Sequence, residues 1–140
     1  MQTYVPLIQR FVSSAFLFHA TVAEQLGLHA SDLKALQLLG AKPLSPGEIR
    51  EKIGLTGAAV TALIDRLEQA GYVARERGSQ DRRRVTIRAV PAKLRQIARL
   101  YAPHYRRMSK LLAKYSAEEF RAITDYLAHA SVLLAVDDRV

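Results

Sequence analysis

No cysteine occurs anywhere in the 140 residues. Its absence excludes a disulfide framework, a thiolate metal site and a thiol-based redox sensor, and it fits a reducing compartment. No uninterrupted apolar run approaches the roughly 18 residues of a membrane span. The start, Met1-Gln2-Thr3-Tyr4, lacks a basic leader region, the first arginine being Arg10. A soluble cytoplasmic protein with no membrane partner is expected. Internal repeats and low-complexity segments are missing too. Acidic residues are scarce in one region alone: Tyr72 to Lys110 carries 12 basic residues against two acidic ones, Glu76 and Asp81. The rest of the chain carries nine basic against 11 acidic, so the whole excess of +8 is concentrated there. A basic stripe on an otherwise near-neutral chain points to a polyanion partner, although a merely solvated basic face has the same composition.

The residues that enzymes need are absent as sets. No nucleophile lies beside a base, no paired carboxylates sit in an apolar frame, and no glycine loop is built to cradle phosphate. His19, His29, His104 and His129 come from separate elements without ligand-like spacing. No catalytic residue, metal or cofactor is expected.

What is present is helical over most of its length. Tyr4, Leu7, Ile8, Phe11, Ala15, Phe18, Val22 and Leu26 recur at three- and four-residue steps and predict one long helix over 4–26, with Gly27 as its stop. Val5, Val12 and Phe16 widen its apolar stripe beyond the needs of one partner helix, which suits packing between subunits. Ser31 can cap a second helix over 32–40. Ser45-Pro46-Gly47-Glu48 combines a hydroxyl cap, a first-turn proline and a capping-box glutamate. The short helix that it opens stops at Gly54, and Thr56 caps the next helix. Helix, tight turn and helix make a helix-turn-helix.

In the helix from Thr56 to Gly71, Val60, Leu63, Ile64 and Leu67 fix the buried face, leaving Gly57, Ala58, Thr61, Ala62 and Asp65 outward. Residues 72–77 and 83–89 alternate as two strands, and the turn between them, Gly78-Ser79-Gln80-Asp81-Arg82-Arg83-Arg84, completes a hairpin wing. Pro91 opens a helix to about Tyr115, with a kink or break expected near Ala102 because Pro103 removes a donor. Ser116-Ala117-Glu118-Glu119 caps a last helix. The fold class is mainly α with a small β-hairpin: a winged helix-turn-helix core flanked by N- and C-terminal dimerisation helices. The expected divisions are an N-terminal dimerisation helix over 1–28, a DNA-binding domain over 29–90 and C-terminal dimerisation helices over 91–140.

Leu44-Ser45-Pro46-Gly47-Glu48-Ile49, Gly54-Leu55-Thr56, the run from Val60 to Val73, and Asp81-Arg82-Arg83-Arg84-Val85 together resemble the MarR family of winged-helix transcriptional regulators, with motif order and spacing held from about Leu28 to Val90. The resemblance implies a homodimer on pseudo-palindromic double-stranded DNA, released in many members by a small, often phenolic or anionic, effector. It also implies a wing arginine in the minor groove, which here falls on Arg82 and Arg83 behind Asp81. Three features depart from the family pattern. The wing tip has Gly78-Ser79-Gln80 where many relatives place a proline, Ala89-Val90-Pro91 lacks the common threonine cap, and no thiol sensing is open to this chain.

The expected chemistry at DNA follows from residue type. Arg82 and Arg83, with Arg84 beside them, suit a narrow minor groove of concentrated negative potential. A carboxylate among phosphates is unfavourable unless it holds an arginine, so Asp81 is expected to organise the wing by orienting Arg83. Gly57, Ala58 and Ala62 cannot hydrogen-bond base edges. They imply close backbone approach, methyl contacts with thymine and reliance on groove shape, with Thr56 and Thr61 as the polar contacts. Plain helix propensity explains the two alanines equally well. Ser45 and Arg66 are placed as phosphate contacts. Phe16, His19 and Tyr105 are candidate effector contacts, or simply core or interface. The alternative to DNA binding is a winged-helix module whose hairpin binds an acidic protein.

Overall fold

The computed structural model describes residues 4–134. Six helices and one hairpin follow in the order α1 (Val5–Gln25), α2 (Ala30–Ala41), α3 (Pro46–Ile53), α4 (Gly57–Gln69), β1 (Val73–Arg77), β2 (Val85–Ala89), α5 (Pro91–Leu112) and α6 (Ala117–Leu133). The chain divides into two compact units at the boundary between Gln96 and Ile97, and α5 spans that boundary. The N-terminal helix therefore belongs to the same unit as the winged core. Its last turn carries the reason: Val22 and Ala23 are buried, and α1 packs on α2.

The core of the first unit is built from the apolar faces of three helices, that of α4 as predicted. Leu33, Leu36 and Leu39 of α2, Ile49 of α3, and Val60, Leu63, Ile64 and Leu67 of α4 are all buried. α4 spends its apolar residues at i, i+3, i+4 and i+7 on this core and has only small or polar groups left for its outer face. Gly54 ends α3 in the left-handed region at φ 73°, which glycine adopts without steric cost. Its N–H donates to the Arg50 carbonyl at 2.9 Å, closing the tight turn between α3 and α4.

The hairpin is antiparallel, with Val73 opposite Ala89 and Arg77 opposite Val85. Leu44, in the linker before α3, adds an antiparallel bridge to Ile87 through reciprocal backbone hydrogen bonds of 3.1 and 2.7 Å. Both side chains are buried. The bridge pins the base of the wing to the entrance of the helix-turn-helix. No period-two alternation surrounds Leu44, so nothing in the local pattern announces it.

Two local expectations are corrected. The cap of α2 is His29, not Ser31: the helix begins at Ala30, and the His29 N–H donates to the Asp32 carboxylate at 2.9 Å. Of the kink or break expected near Ala102, the break does not occur: α5 runs on through Pro103 and ends at Leu112, short of Tyr115. A proline deep in a helix removes one backbone donor and crowds the preceding turn, but the helix still resumes beyond it here. Helix α1 is long and apolar enough, by length and composition, to cross a membrane, although no uninterrupted apolar run of that length exists. Its apolar residues are interrupted by Gln9, Arg10, Ser13 and Ser14, so the property belongs to the helix as a whole rather than to any unbroken run.

In the second unit Ile97 and Tyr101 are buried, and the Tyr101 ring stacks on Tyr105 with centroids 5.6 Å apart. Burial, with a smaller contribution from Tyr105, pushes the Tyr101 hydroxyl above its ordinary range. Large apolar side chains stay exposed on both units: Leu7, Phe11, Phe16 and Leu17 on α1, and Val132 and Leu133 on α6.

Candidate nucleic-acid interface

The site is assembled by caps. Ser45 Oγ accepts from the Glu48 N–H at 3.1 Å while Glu48 Oε2 accepts from the Ser45 N–H at 2.7 Å. Those hydrogen bonds hold the Glu48 carboxyl below its ordinary value, with Lys42 and Lys52 adding smaller effects. Thr56 Oγ1 accepts from the Ala59 N–H at 3.2 Å and fixes the start of α4. One of its lone pairs is thus occupied, and its O–H and second lone pair are what it can offer a partner.

Along the outer face of α4, Gly57, Ala58, Thr61, Ala62 and Asp65 are exposed. The Thr61 hydroxyl donates back to the Gly57 carbonyl at 3.0 Å, so it presents lone pairs and a methyl group outward. This face carries no long side chain as far as Asp65. It is a smooth strip over which another surface can approach closely.

Six arginines around the strip fall into two groups. Arg66 is turned inward. Its Nε and Nη2 donate to the two carboxylate oxygens of Asp32 at 3.0 and 2.5 Å, and the Asp32 side chain is fully buried. This fork ties α4 to α2. Arg66 was expected at a phosphate, and two of its five donors are already committed elsewhere. Arg75 on β1 pairs with both Asp65 and Glu68 of α4. Arg88 pairs with Glu76 across the hairpin at 2.8 Å. By contrast, the exposed side chains of Arg82, Arg83 and Arg84 make no hydrogen bond or ion pair among the described residues.

Asp81 acts on the wing through the backbone. Its Oδ1 accepts from the Arg83 N–H at 2.9 Å, and its carbonyl accepts from the Arg84 N–H at 3.1 Å. The orienting hydrogen bond to Arg83 therefore goes to the main chain, not to the guanidinium as expected. The Gly78 N–H closes the turn onto the Arg84 carbonyl at 2.8 Å. A Cβ on Gly78 would come within 2.8 Å of the Asp81 carbonyl oxygen, so the tip requires glycine for space.

Two residues escaped the sequence reading. Asp32 is the buried anchor of Arg66, and no spacing rule joins residues 34 positions apart. Arg50 is exposed beside the start of α4, where its Nη1 would lie 4.0 Å from a Cβ on Gly57. A cation at i+5 from a helix cap is too common a pattern to have been singled out. Phe16 and Tyr105 are exposed and His19 is half-buried. Phe16 and His19 belong to the first unit and Tyr105 to the second.

A profile of the MarR family matches residues 26–84, the segment from the end of α1 to the wing tip. Over nearly its whole length the chain is similar to YcgE of Bacillus subtilis (strain 168), an HTH-type transcriptional regulator. The two are 39% identical over 134 residues, covering 95% of this chain and 87% of that one. The chain belongs to the MarR family. Solved MarR-type structures share its fold. A MarR family protein from Bacillus stearothermophilus superposes with a TM-score of 0.75 at 24% identity, covering 94% of this chain and 92% of that one. A mutant of S. aureus MepR bound to an oligodeoxyribonucleotide superposes at 0.67 with 21% identity, covering 94% and 98%. This MarR-family chain is thus a transcriptional regulator that acts by binding DNA rather than as an enzyme.

Proposed function

We propose that the protein is a homodimer that binds a pseudo-palindromic duplex, with α4 of each subunit in the major groove and the wing arginines in the adjacent minor groove. One observation carries the reading: three unpaired, exposed guanidinium groups project from a wing beside a helix face with nothing bulky on it, while Arg66, Arg75 and Arg88 of the surrounding frame are paired. Unpaired guanidinium groups at a convex tip match the negative potential of a narrow groove. The smooth strip of Gly57, Ala58, Thr61 and Ala62 admits the edges of base pairs with little steric resistance. Ser45 and Thr56 hydroxyls and the remaining donors of Arg66 are assigned to phosphates. Such contacts fix register but carry little sequence information.

The dimer is assigned to the exposed apolar residues of α1 and α6, and two recognition helices about one duplex turn apart match half-sites of that spacing. The apolar length of α1 is accounted for by a subunit partner, and no lipid is invoked. Release by a small phenolic or anionic effector completes the proposal, with Phe16, His19 and Tyr105 as the residues to substitute.

Selecting bound fragments from random duplex DNA tests the core of this. Recovered sequences should share an inverted repeat. Affinity should fall with salt at a log–log slope near 0.9 per phosphate neutralised. Recovery of no common sequence, with acidic polypeptide competing as well as duplex, would instead establish the hairpin as a module for acidic proteins.

A further inference from the structure

The exposed face of α4 ends on a carboxylate. Asp65 continues the line of Ala58, Thr61 and Ala62 and is exposed, with 60% of its side-chain surface open to solvent. Glu68 follows one turn later at 39%. Two carboxylates at the rim of a surface meant for a polyanion should repel it. The structure gives both the same partner. One Arg75 guanidinium nitrogen bonds Asp65 and the other bonds Glu68, and the Arg75 backbone N–H donates to Glu68 at 3.3 Å. Arg75 is on β1, so the fork crosses from the recognition helix to the wing. Its own side chain is two-thirds covered, which leaves little of it for a phosphate.

We infer that Arg75 is a positioning residue that masks Asp65 and Glu68, so that the end of the recognition helix can approach DNA without repulsion. The inference rests on the DNA-binding reading above. It assigns Arg75 an indirect role: its charge acts by cancelling two neighbours, not by neutralising a backbone phosphate. A directly bound arginine and a masking arginine both weaken binding when removed. They differ in what happens when the carboxylates are removed as well.

The test is a charge-rescue series measured by band shift and by fluorescence anisotropy on the duplex selected with the wild type. Arg75→Gln should weaken binding about tenfold, because two carboxylates are then bare within a Debye length of the phosphates. The triple variant D65N/E68Q/R75Q should return to within about threefold of wild type, and its salt slope should match that of the wild type. A purely structural role predicts otherwise, since the two ion pairs of Arg75 are missing from the single and triple variants alike. Thermal melts on both confirm that each is folded. A triple variant that binds no better than Arg75→Gln overturns the inference. So does a salt slope lowered by about one in both variants, which would make Arg75 a phosphate contact. If the wild type itself shows no salt-dependent duplex binding, the DNA-binding reading fails first and this inference falls with it. Tight wild-type binding without rescue overturns the masking alone.

Discussion

At the scale of single residues, the arginines divide by what they touch. Their order in the chain does not foretell the division. Arg82, Arg83 and Arg84 were legible as an exposed cluster because three guanidinium groups in a row cannot all find carboxylates in a tight turn. Arg66 was not, because its partner Asp32 lies in another helix and is fully buried. Removing one partner of a buried pair usually costs about 3–5 kcal/mol. Here the guanidinium is partly open to water, which softens the loss, so Asp32→Ala should cost about 2 kcal/mol in chemical denaturation. A loss below about 0.5 kcal/mol would show that the fork is dispensable. Arg82→Ala, by contrast, should leave the melting transition unchanged and weaken duplex binding substantially in band shifts. Wild-type affinity in that variant would sink the wing model. Gly78→Ala separates shape from charge in the same turn. The added methyl meets the Asp81 carbonyl, so the tip must shift and binding should fall although all three arginines remain.

At the scale of elements, the caps and inner faces were readable because they depend on spacing within a few residues. The boxes at Ser45 and Ser116 form as expected, with Ser116 Oγ accepting from Glu119 N–H at 3.2 Å and Glu119 Oε2 accepting from Ser116 N–H at 2.8 Å. The cap of α2 was misplaced by two residues because His29 is a poor cap by type. Asp32 three residues on supplies the hydrogen bond instead. The Leu44–Ile87 bridge was invisible because pairing across the fold leaves no local period. These elements respond to acid in a fixed direction. The Glu48 and Glu119 carboxyls are held below their ordinary value of 4.5 mainly by hydrogen bonds from Ser45 and Ser116. A depressed folded value means that each contributes stability above the unfolded value, and that this contribution is lost as pH falls through the folded one. Melts from neutral pH down through the acidic range should therefore show a decline below pH 4.5 that is shallower in the double variant E48Q/E119Q. Identical slopes would mean that the boxes do not respond to protonation. Ser116→Ala should cost about 1 kcal/mol, the usual value of a lost cap, and leave duplex binding intact.

At the scale of the whole molecule, the apolar residues left over by the fold demand a partner. Phe11, Phe16 and Leu17 on α1 and Val132 and Leu133 on α6 are more than half exposed. Each fully buried side chain of this kind is worth about 1.5–3 kcal/mol when removed from water. Isolated exposed leucines are ordinary, but clusters on both terminal helices are not. The sequence showed the α1 stripe as over-wide, and the structure shows why: only the last turn of α1 is consumed by the core. Leu133, 85% exposed, is the cleanest probe. A surface leucine that touches nothing can be changed with an effect within about 0.5 kcal/mol on a folded subunit. Leu133→Glu, combined with Phe11→Glu, should accordingly leave secondary structure intact by circular dichroism while shifting sedimentation from dimer to monomer. Binding to the full inverted repeat should then collapse to the affinity for a single half-site, because the second recognition helix no longer arrives tethered to the first. A double variant that sediments as a dimer and keeps its operator affinity would remove both helices from the interface. The subunit contact would then have to be sought elsewhere in the chain.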